Sequence, residues 1–424
     1  MKITDVRTVL LTGPCTDDPW LSVFKQSRSA AFCEVETDQG TVGVGETYVG
    51  YFFPESVPLV VAYVREILIN AEAFEPEELD VTLLTRRMRT CCQYWARTGL
   101  GAAALTGVEA ALWDLKGKLL GRPVHELLRA GRRGNGSSGA AASVAPDSLP
   151  AYATGGPSPW PRTDLFAKID FYRSLGFDAV KIASGYLDST SREEVPTHGS
   201  IQAAVELEAG KLAALRDHAG SELGILLDGH MGHREGPERW DLDTATAVLT
   251  ALAPYEVFFF EEPLPYADAP AWAALAEASP ITVAGGEQLS TLDEFTGFHS
   301  RGAFGIAQPD AAWLGVADFV AVADLWAGTG GRVAPHAWGA GAAVMQNLHA
   351  AFAVDNTAIV ELPPAAGPLH RELWTDNLVL RDGAVLRPEA PGLGITLDES
   401  IKERFGFSPG AEEFSSVPGK LMRS

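Results

Sequence analysis

Positive charge is scarce in this chain. Of its 424 residues, 33 are Lys or Arg against 55 Asp or Glu, which leaves a formal charge of −22. Nucleic-acid binding needs clustered Lys and Arg, so that class of partner is excluded. An anionic small substrate is not excluded, because a bound metal and a few local cations can reverse the sign inside a cleft. Cysteine is scarcer still. Cys15, Cys33, Cys91 and Cys92 show no metal-ligand spacing, and the adjacent pair is poorly placed to bridge itself, so a reduced, cytoplasmic setting is expected. No apolar run is long enough to span a bilayer, so no membrane partner is expected. The opening MKITDVRTVLLTG alternates like a strand and lacks the unbroken apolar core and small-residue cleavage site of a signal peptide. No Gly-rich dinucleotide fingerprint opens the first alternating unit, which weakens a doubly wound sheet.

What is present is a hydrophobic content of 46% and a length that suits a large barrel with an added domain. Residues 1–45 read as three strands, ITDVRTVLL, SAAFCEVET and TVGVGET, the last two joined by a DQG turn. Helical stretches follow at about 56–70, 77–94 and 99–118, with Gly121 and Pro123 ending the last. From about residue 139 strand and helix alternate. The candidate strands are AASVAP, DAVKIA, GILLDG, VFFFEE, ITVAGG, FGIAQP, RVAPH and AIVEL, with helices at 200–219, 242–254, 291–299, 315–328 and 340–353. Eight such units predict a closed parallel barrel. After Glu361, PPAAGPLHRELW makes a poor eighth helix, and the tail reads as two short strands around a turn that return to cover the N-terminal domain.

The apolar runs of the alternating half end on chemistry. Asp228, Glu261, Glu287, Asp310, His336 and Glu361 close successive strands, 23 to 33 residues apart. In a parallel barrel the strand C-termini converge on one face, so residues distant in sequence share a pocket. Asp228, Glu261 and Glu287 would bring three carboxylates into one volume, where like charges repel unless a cation is held among them. All-oxygen ligation without cysteine favours Mg²⁺ first and Mn²⁺ second. Each acid could instead pair with an Arg or cap the next helix. Glu262 follows Glu261 and, by strand alternation, should face the other way, in a structural role or supporting the ligands from behind.

The ordered set DGH, FFEEP, AGGEQ, QPD, PHAWG and VELP, with the APGLGI tail, resembles the enolase superfamily, and within it the mandelate racemase branch. The resemblance spans nearly the whole chain. It implies an α/β protein with an N-terminal α+β capping domain and a modified TIM barrel, (β/α)7β. Expected boundaries are 1–125 for the cap, 126–375 for the barrel and 376–424 for a segment returning to the cap. It also implies abstraction of a proton α to a carboxylate, an Mg²⁺-stabilised enediolate, a homo-oligomer (dimer or octamer), metal ligation by Asp228, Glu261 and Glu287, a His336–Asp310 dyad, and Glu361 on the substrate carboxylate. The chemistry agrees independently, since so weak a carbon acid needs strong electrostatic stabilisation of its anion.

His336 is the expected general base, held in one tautomer by Asp310. Lys181 stands where the branch often carries a Lys-x-Lys pair, but the second position is Ala183, which counts against two-base racemisation. Lys181 either orients the substrate carboxylate or packs structurally. His230, two residues beyond Asp228, resembles the Asp-x-His of sugar-acid dehydratases and is the expected acid for a departing β-hydroxyl; a loop histidine lining the cleft is the alternative. His198 and His233 carry little weight. The cap loops 14–28 and 48–55 offer Trp20, Lys25, Tyr51, Phe52 and Phe53 to close over a ligand or to pack between domains, and Trp338 a wall. The expected function is an Mg²⁺-dependent dehydratase of an aldonic or aldaric acid, a carbon–oxygen lyase yielding a 2-keto-3-deoxy acid. An epimerase, racemase or cycloisomerase of the same superfamily is the first alternative, and a non-catalytic sugar-acid binder the second.

Overall fold

The computed structural model describes every residue except 18, 20–26, 135–144, 155–161, 188–193, 196–199, 235, 237–238, 365–366, 375–376 and 410–424. Three antiparallel strands open the chain: β1 (Ile3–Pro14), β2 (Ser27–Thr37) and β3 (Val42–Thr47). Their apolar face packs on α1 (Val57–Ile69), α2 (Val81–Cys92) and α3 (Gly99–Leu120). Gly43 and Gly45 allow α3 to lie this close, because a Cβ at either would sit within 2.5 Å of helix backbone, on Ala111 O and Gly107 O. A fourth helix, α4 (Val124–Gly134), leads out of this layer. Among the described residues no helix is long and apolar enough to cross a membrane.

Eight parallel strands then form the barrel: β4 (Ser148–Thr154), β5 (Ala179–Ala183), β6 (Gly224–Asp228), β7 (Val257–Glu261), β8 (Val283–Gly285), β9 (Ile306–Ala307), β10 (Arg332–Val333) and β11 (Val360–Leu362). From β4 to β10 each pairs with the next in parallel register, and β11 pairs with β4. A parallel bridge between Val333 and Thr357, with Ala358 N donating to Val333 O at 2.7 Å, closes the ring. Tyr152, Leu226, Phe259, Ile306 and Ile359 fill the interior below the strand C-termini. This is the expected α/β architecture of capping layer and modified barrel.

Helices outside the ring start where the sequence supplies caps. Ser200, Asp241, Asp268 and Thr291 each accept from the third residue onward, opening α6 (Ile201–Ala219), α7 (Leu242–Leu252), α8 (Ala269–Ala278) and α9 (Leu292–His299). Each such cap contributes about 1 kcal/mol. Preceding and following them are α5 (Arg162–Ser174), α10 (Val316–Ala327) and α11 (Ala342–Phe352).

One expected strand is misplaced. Of AASVAP at 141–146, residues 141–144 lie outside the described residues, and the first barrel strand is SLPAYAT at Ser148–Thr154. Pro150 disguises it, since proline lacks the N–H of a ladder and demotes a run as strand. Here Pro150 sits at the strand's beginning, opposite Ala384, and the next amide, Ala151 N, donates to Gly383 O at 2.9 Å. That partner belongs to the hairpin of β12 (Leu380–Arg381) and β13 (Ala384–Leu386), turned at Asp382 and Gly383. The residues after Glu361 form only a short helix, α12 (Pro368–Trp374). From the hairpin the chain returns to the N-terminal layer: Leu393 N donates to Asp114, and Thr12 N to Phe405 O just after α13 (Glu399–Arg404).

Candidate active site

Contacts through Lys181 and two histidines link the six strand-end residues into one cluster. At its centre lies Lys181 of β5, 7% exposed, with Nζ 2.7 Å from Glu261 Oε2, 3.2 Å from Glu361 Oε1 and 3.3 Å from Asp228 Oδ2. One ammonium thus serves three carboxylates from β6, β7 and β11. Burial alone would lower the Lys181 pKa, but Glu261 and Glu361 outweigh it and hold the amine well above its ordinary range. The Tyr152 ring lies beneath it, 5.7 Å from Nζ. Ala183, one strand residue pair further along, offers no second base.

Glu287 holds the opposite wall and receives two imidazoles. His336 Nε2 is 3.6 Å from Glu287 Oε2, and His230 Nε2 is 3.6 Å from Glu287 Oε1. His336 donates from Nδ1 to Asp310 Oδ2 at 2.8 Å. Asp310 is itself fixed, its Oδ1 accepting from Ala312 N at 2.7 Å and Asn347 Nδ2 at 2.8 Å. His230 Nδ1 lies 2.6 Å from Asp228 Oδ1. Burial pushes both imidazoles down, but neighbouring carboxylates, Glu287 for His336 and Asp228 for His230, raise each to about 10. Glu361 spans the gap, its second oxygen accepting from Ala337 N at 2.8 Å.

Two side chains reach the pocket by a route that strand alternation does not provide. His230 has φ 45° and Glu262 has φ 44°, left-handed conformations directly after the ends of β6 and β7. The turn at His230 brings its ring back over Asp228. The turn at Glu262 swings its carboxylate inward, so that His230, Glu262 and Glu287 offer ligand atoms within 4.8 Å of one another. Glu262 is buried and accepts from Gln288 Nε2 at 2.9 and 3.0 Å. Its expected outward direction is therefore corrected: Glu262 faces the cluster, which leaves the supporting role and not the purely structural one.

The donor set fits a hard divalent cation. Asp228, Glu261 and Glu262 are buried together with the half-buried Glu287 beside them, and burial, then Asp228, push the Glu261 carboxyl well above its usual range despite Lys181. Glu261 Oε1 is buried with no hydrogen-bond partner. A buried carboxylate oxygen left unpaired is costly unless a cation takes it up.

The cap contributes more than the sequence disclosed. Tyr48, at the end of β3, sets its ring 5.4 Å from that of His336 and stacks on Tyr51 at 5.1 Å. Phe52 and Trp313 close the same aromatic wall, whereas Phe53 is 62% exposed. Tyr51 is 2% exposed and lies behind Tyr48. Trp338 packs beneath the buried Arg28, whose guanidinium is 4.4 Å from its ring. His233 lies beside His230, ring centroids 5.5 Å apart. Trp20, Lys25 and His198 fall outside the described residues. Tyr48 carried no signal beyond membership of an aromatic loop. A separate cavity of about 530 Å³, lined by Phe258, His299, Trp326 and Arg332, includes none of these residues.

Comparison with known proteins meets this geometry. Residues 166–401 match the family model described as enolase C-terminal domain-like, and residues 20–129 that of the mandelate racemase / muconate lactonizing enzyme N-terminal domain. The chain belongs to the enolase superfamily. It is an enzyme of the mandelate racemase and muconate lactonizing type, similar at 26% identity to an arabinonate dehydratase of Saccharolobus solfataricus, covering 88% of this chain and 89% of that one. It is 28% identical to a D-galactarolactone cycloisomerase of Agrobacterium fabrum, covering 96% and 99%. The solved L-talarate dehydratase of Polaromonas sp. JS666, complexed with Mg and L-glucarate, superposes with a TM-score of 0.73 at 25% identity, covering 95% and 96%.

Proposed function

We propose that this enolase-superfamily member is an Mg²⁺-dependent dehydratase of an aldonic or aldaric acid. The observation that carries the reading is the pair of imidazoles, His336 and His230, each with Nε2 3.6 Å from the one Glu287 carboxylate. Two proton carriers thus flank a single position beside the carboxylate cluster. Asp228, Glu261 and Glu287 are the residues assigned to hold the metal. When bound, that ion would supply positive charge against the substrate carboxylate and the enediolate, and offset the carboxylates that hold the imidazoles protonated.

The chain's own residues perform the rest. Lys181 and Glu361 orient the substrate carboxylate from the β5 and β11 side. His336 Nε2 takes the C2 proton, and the C–H electron pair passes into the enediolate. As that pair collapses toward C3, the C3–O bond breaks, and His230 protonates the departing hydroxide so that water leaves. The enol then tautomerises to a 2-keto-3-deoxy acid. Tyr48, Phe52 and Trp313 hold water away from the base.

Ala183 removes the base from the second face of the α-carbon, which supports single-base reactions over racemisation. Cycloisomerisation begins with the same proton transfer and is therefore the second reading, supported by the resemblance to the galactarolactone enzyme. A library of aldonic and aldaric acids and their lactones, incubated with Mg²⁺ and assayed for substrate loss and for 2-keto acids, separates the two. A 2-keto product abolished by EDTA and by His336→Asn supports dehydration. Turnover of a lactone without 2-keto product would replace it with cycloisomerisation.

A further inference from the structure

The turn that follows the base is built around a carboxylate from another part of the chain. Glu46 of β3 is 1% exposed, and its two oxygens accept from Ala340 N at 2.7 Å and Ala343 N at 2.8 Å. Those amides lie four and seven residues beyond His336, at the start of α11, where unpaired N–H groups and the helix dipole favour an anion. The main chain of Glu46 is locked to the same helix: its N–H donates to Gln346 Oε1 at 2.7 Å, and its carbonyl accepts from Gln346 Nε2 at 3.0 Å. Gly339 takes φ 128°, and a Cβ there would stand 2.9 Å from Glu46 Oε1. The loop has therefore been shaped to admit this carboxylate. Two residues along, Tyr48 of the same segment covers the His336 ring.

We infer that Glu46 is a positioning residue for the general base, setting His336 against its substrate through the 337–343 turn. This makes proton abstraction depend on a docked cap. The inference rests on the reading of His336 as base. Burial raises the Glu46 carboxyl to about 7, against the two amides and Arg28, which favour its charged form. A glutamine here has one acceptor oxygen for two donors, so the turn must rearrange.

The test compares Glu46→Gln with Asp114→Asn in the full chain. Asp114 makes a similar buried clamp, accepting from Val44 N at 2.8 Å and Leu393 N at 2.7 Å, but away from the dyad. Histidines labelled at ¹³Cε1 report the His336 imidazole by NMR, assigned through His336→Asn. Glu46→Gln is expected to shift that resonance, and Asp114→Asn to leave it in place at comparable loss of Tm. On whichever acid sugar turns over, Glu46→Gln should lower kcat by about 10- to 100-fold at nearly constant KM, the scale of an ångström's misplacement. An unmoved resonance, or an equal kcat loss in Asp114→Asn, overturns the proposal. If no acid sugar turns over, the resonance alone decides, so failure of the dehydratase reading is separable. Should Glu46→Gln not fold, Gln346→Met loosens the same joint from the helix side and must show the same shift.

Discussion

Three carboxylates converge on the ammonium of Lys181, and what happens when it is removed follows from burial. Breaking a buried ion pair leaves uncompensated charge, a loss of about 3–5 kcal/mol. Lys181→Met is therefore expected to lower Tm sharply in EDTA, and Mg²⁺ is expected to restore much of it by replacing the lost positive charge. A melt insensitive to Mg²⁺ would count against cation binding at Asp228 and Glu261. The two adjacent glutamates are separable in the same way. Glu261→Gln should abolish measurable Mg²⁺ binding in isothermal titration, whereas Glu262→Gln, whose carboxylate is held by Gln288, should weaken it by about 10-fold. The reverse order would reassign the ligand to Glu262. His336→Asn should cut turnover by about a thousandfold while leaving Mg²⁺ affinity unchanged, the separation expected of a base that is not a ligand.

At the scale of elements, the strand ends were legible because an apolar run closing on an acid or imidazole is a pattern in one dimension. Helix limits at 200, 242 and 291 were legible within a few residues, and Ser200, Asp241 and Thr291 stand at them as caps. Orientation past a strand end was not. His230 lies where its two-residue spacing from Asp228 places it, though by a left-handed turn and not by continued strand, and Glu262 joins it through a second such turn that alternation cannot foresee. Nor could Glu46 be found, since it sits in a segment that reads as an ordinary hairpin, and Tyr48 is marked only as part of the 48–55 loop; their roles exist only once β3 meets α11. A second joint of the same kind links cap to barrel at α10, where Glu109 of α3 accepts from Ala317 N at 2.9 Å and pairs with Arg89. The helices following both dyad strands are thus capped by carboxylates from the N-terminal layer. Glu109→Gln is expected to leave the barrel's circular dichroism intact while accelerating hydrogen exchange at Ala317 and its neighbours, as a lost cap would.

Across the whole molecule, three buried histidines outside the pocket each cost native stability in acid. His349 accepts from His125 N at 3.2 Å, the two rings lie 5.5 Å apart, and His370 contacts Arg28 at 2.9 Å. Burial lowers all three, His349 to about 3, with His125 and Arg28 adding like-charge repulsion to His349 and His370. Between about 6.5 and 3 the unfolded chain therefore binds a proton that native His349 refuses. Stability is full above pH 6.5 and falls as pH drops, by up to about 1.4 kcal/mol per unit from that group. Urea titrations from pH 7.5 to 4.5 should show this slope, and His349→Gln should flatten it.

The hairpin that seats Ala384–Leu386 on the first barrel strand, and the contact of Phe405 with Thr12, carry a consequence for synthesis. A ribosome delivers about 5–20 residues each second, amino end first. Both β1 and β4 must therefore wait, with an edge unpaired, while more than two hundred further residues are made. The nascent chain is consequently a template for stray strand pairing until its closing stitch emerges, and a pause late in translation would prolong the interval in which a chaperone is needed.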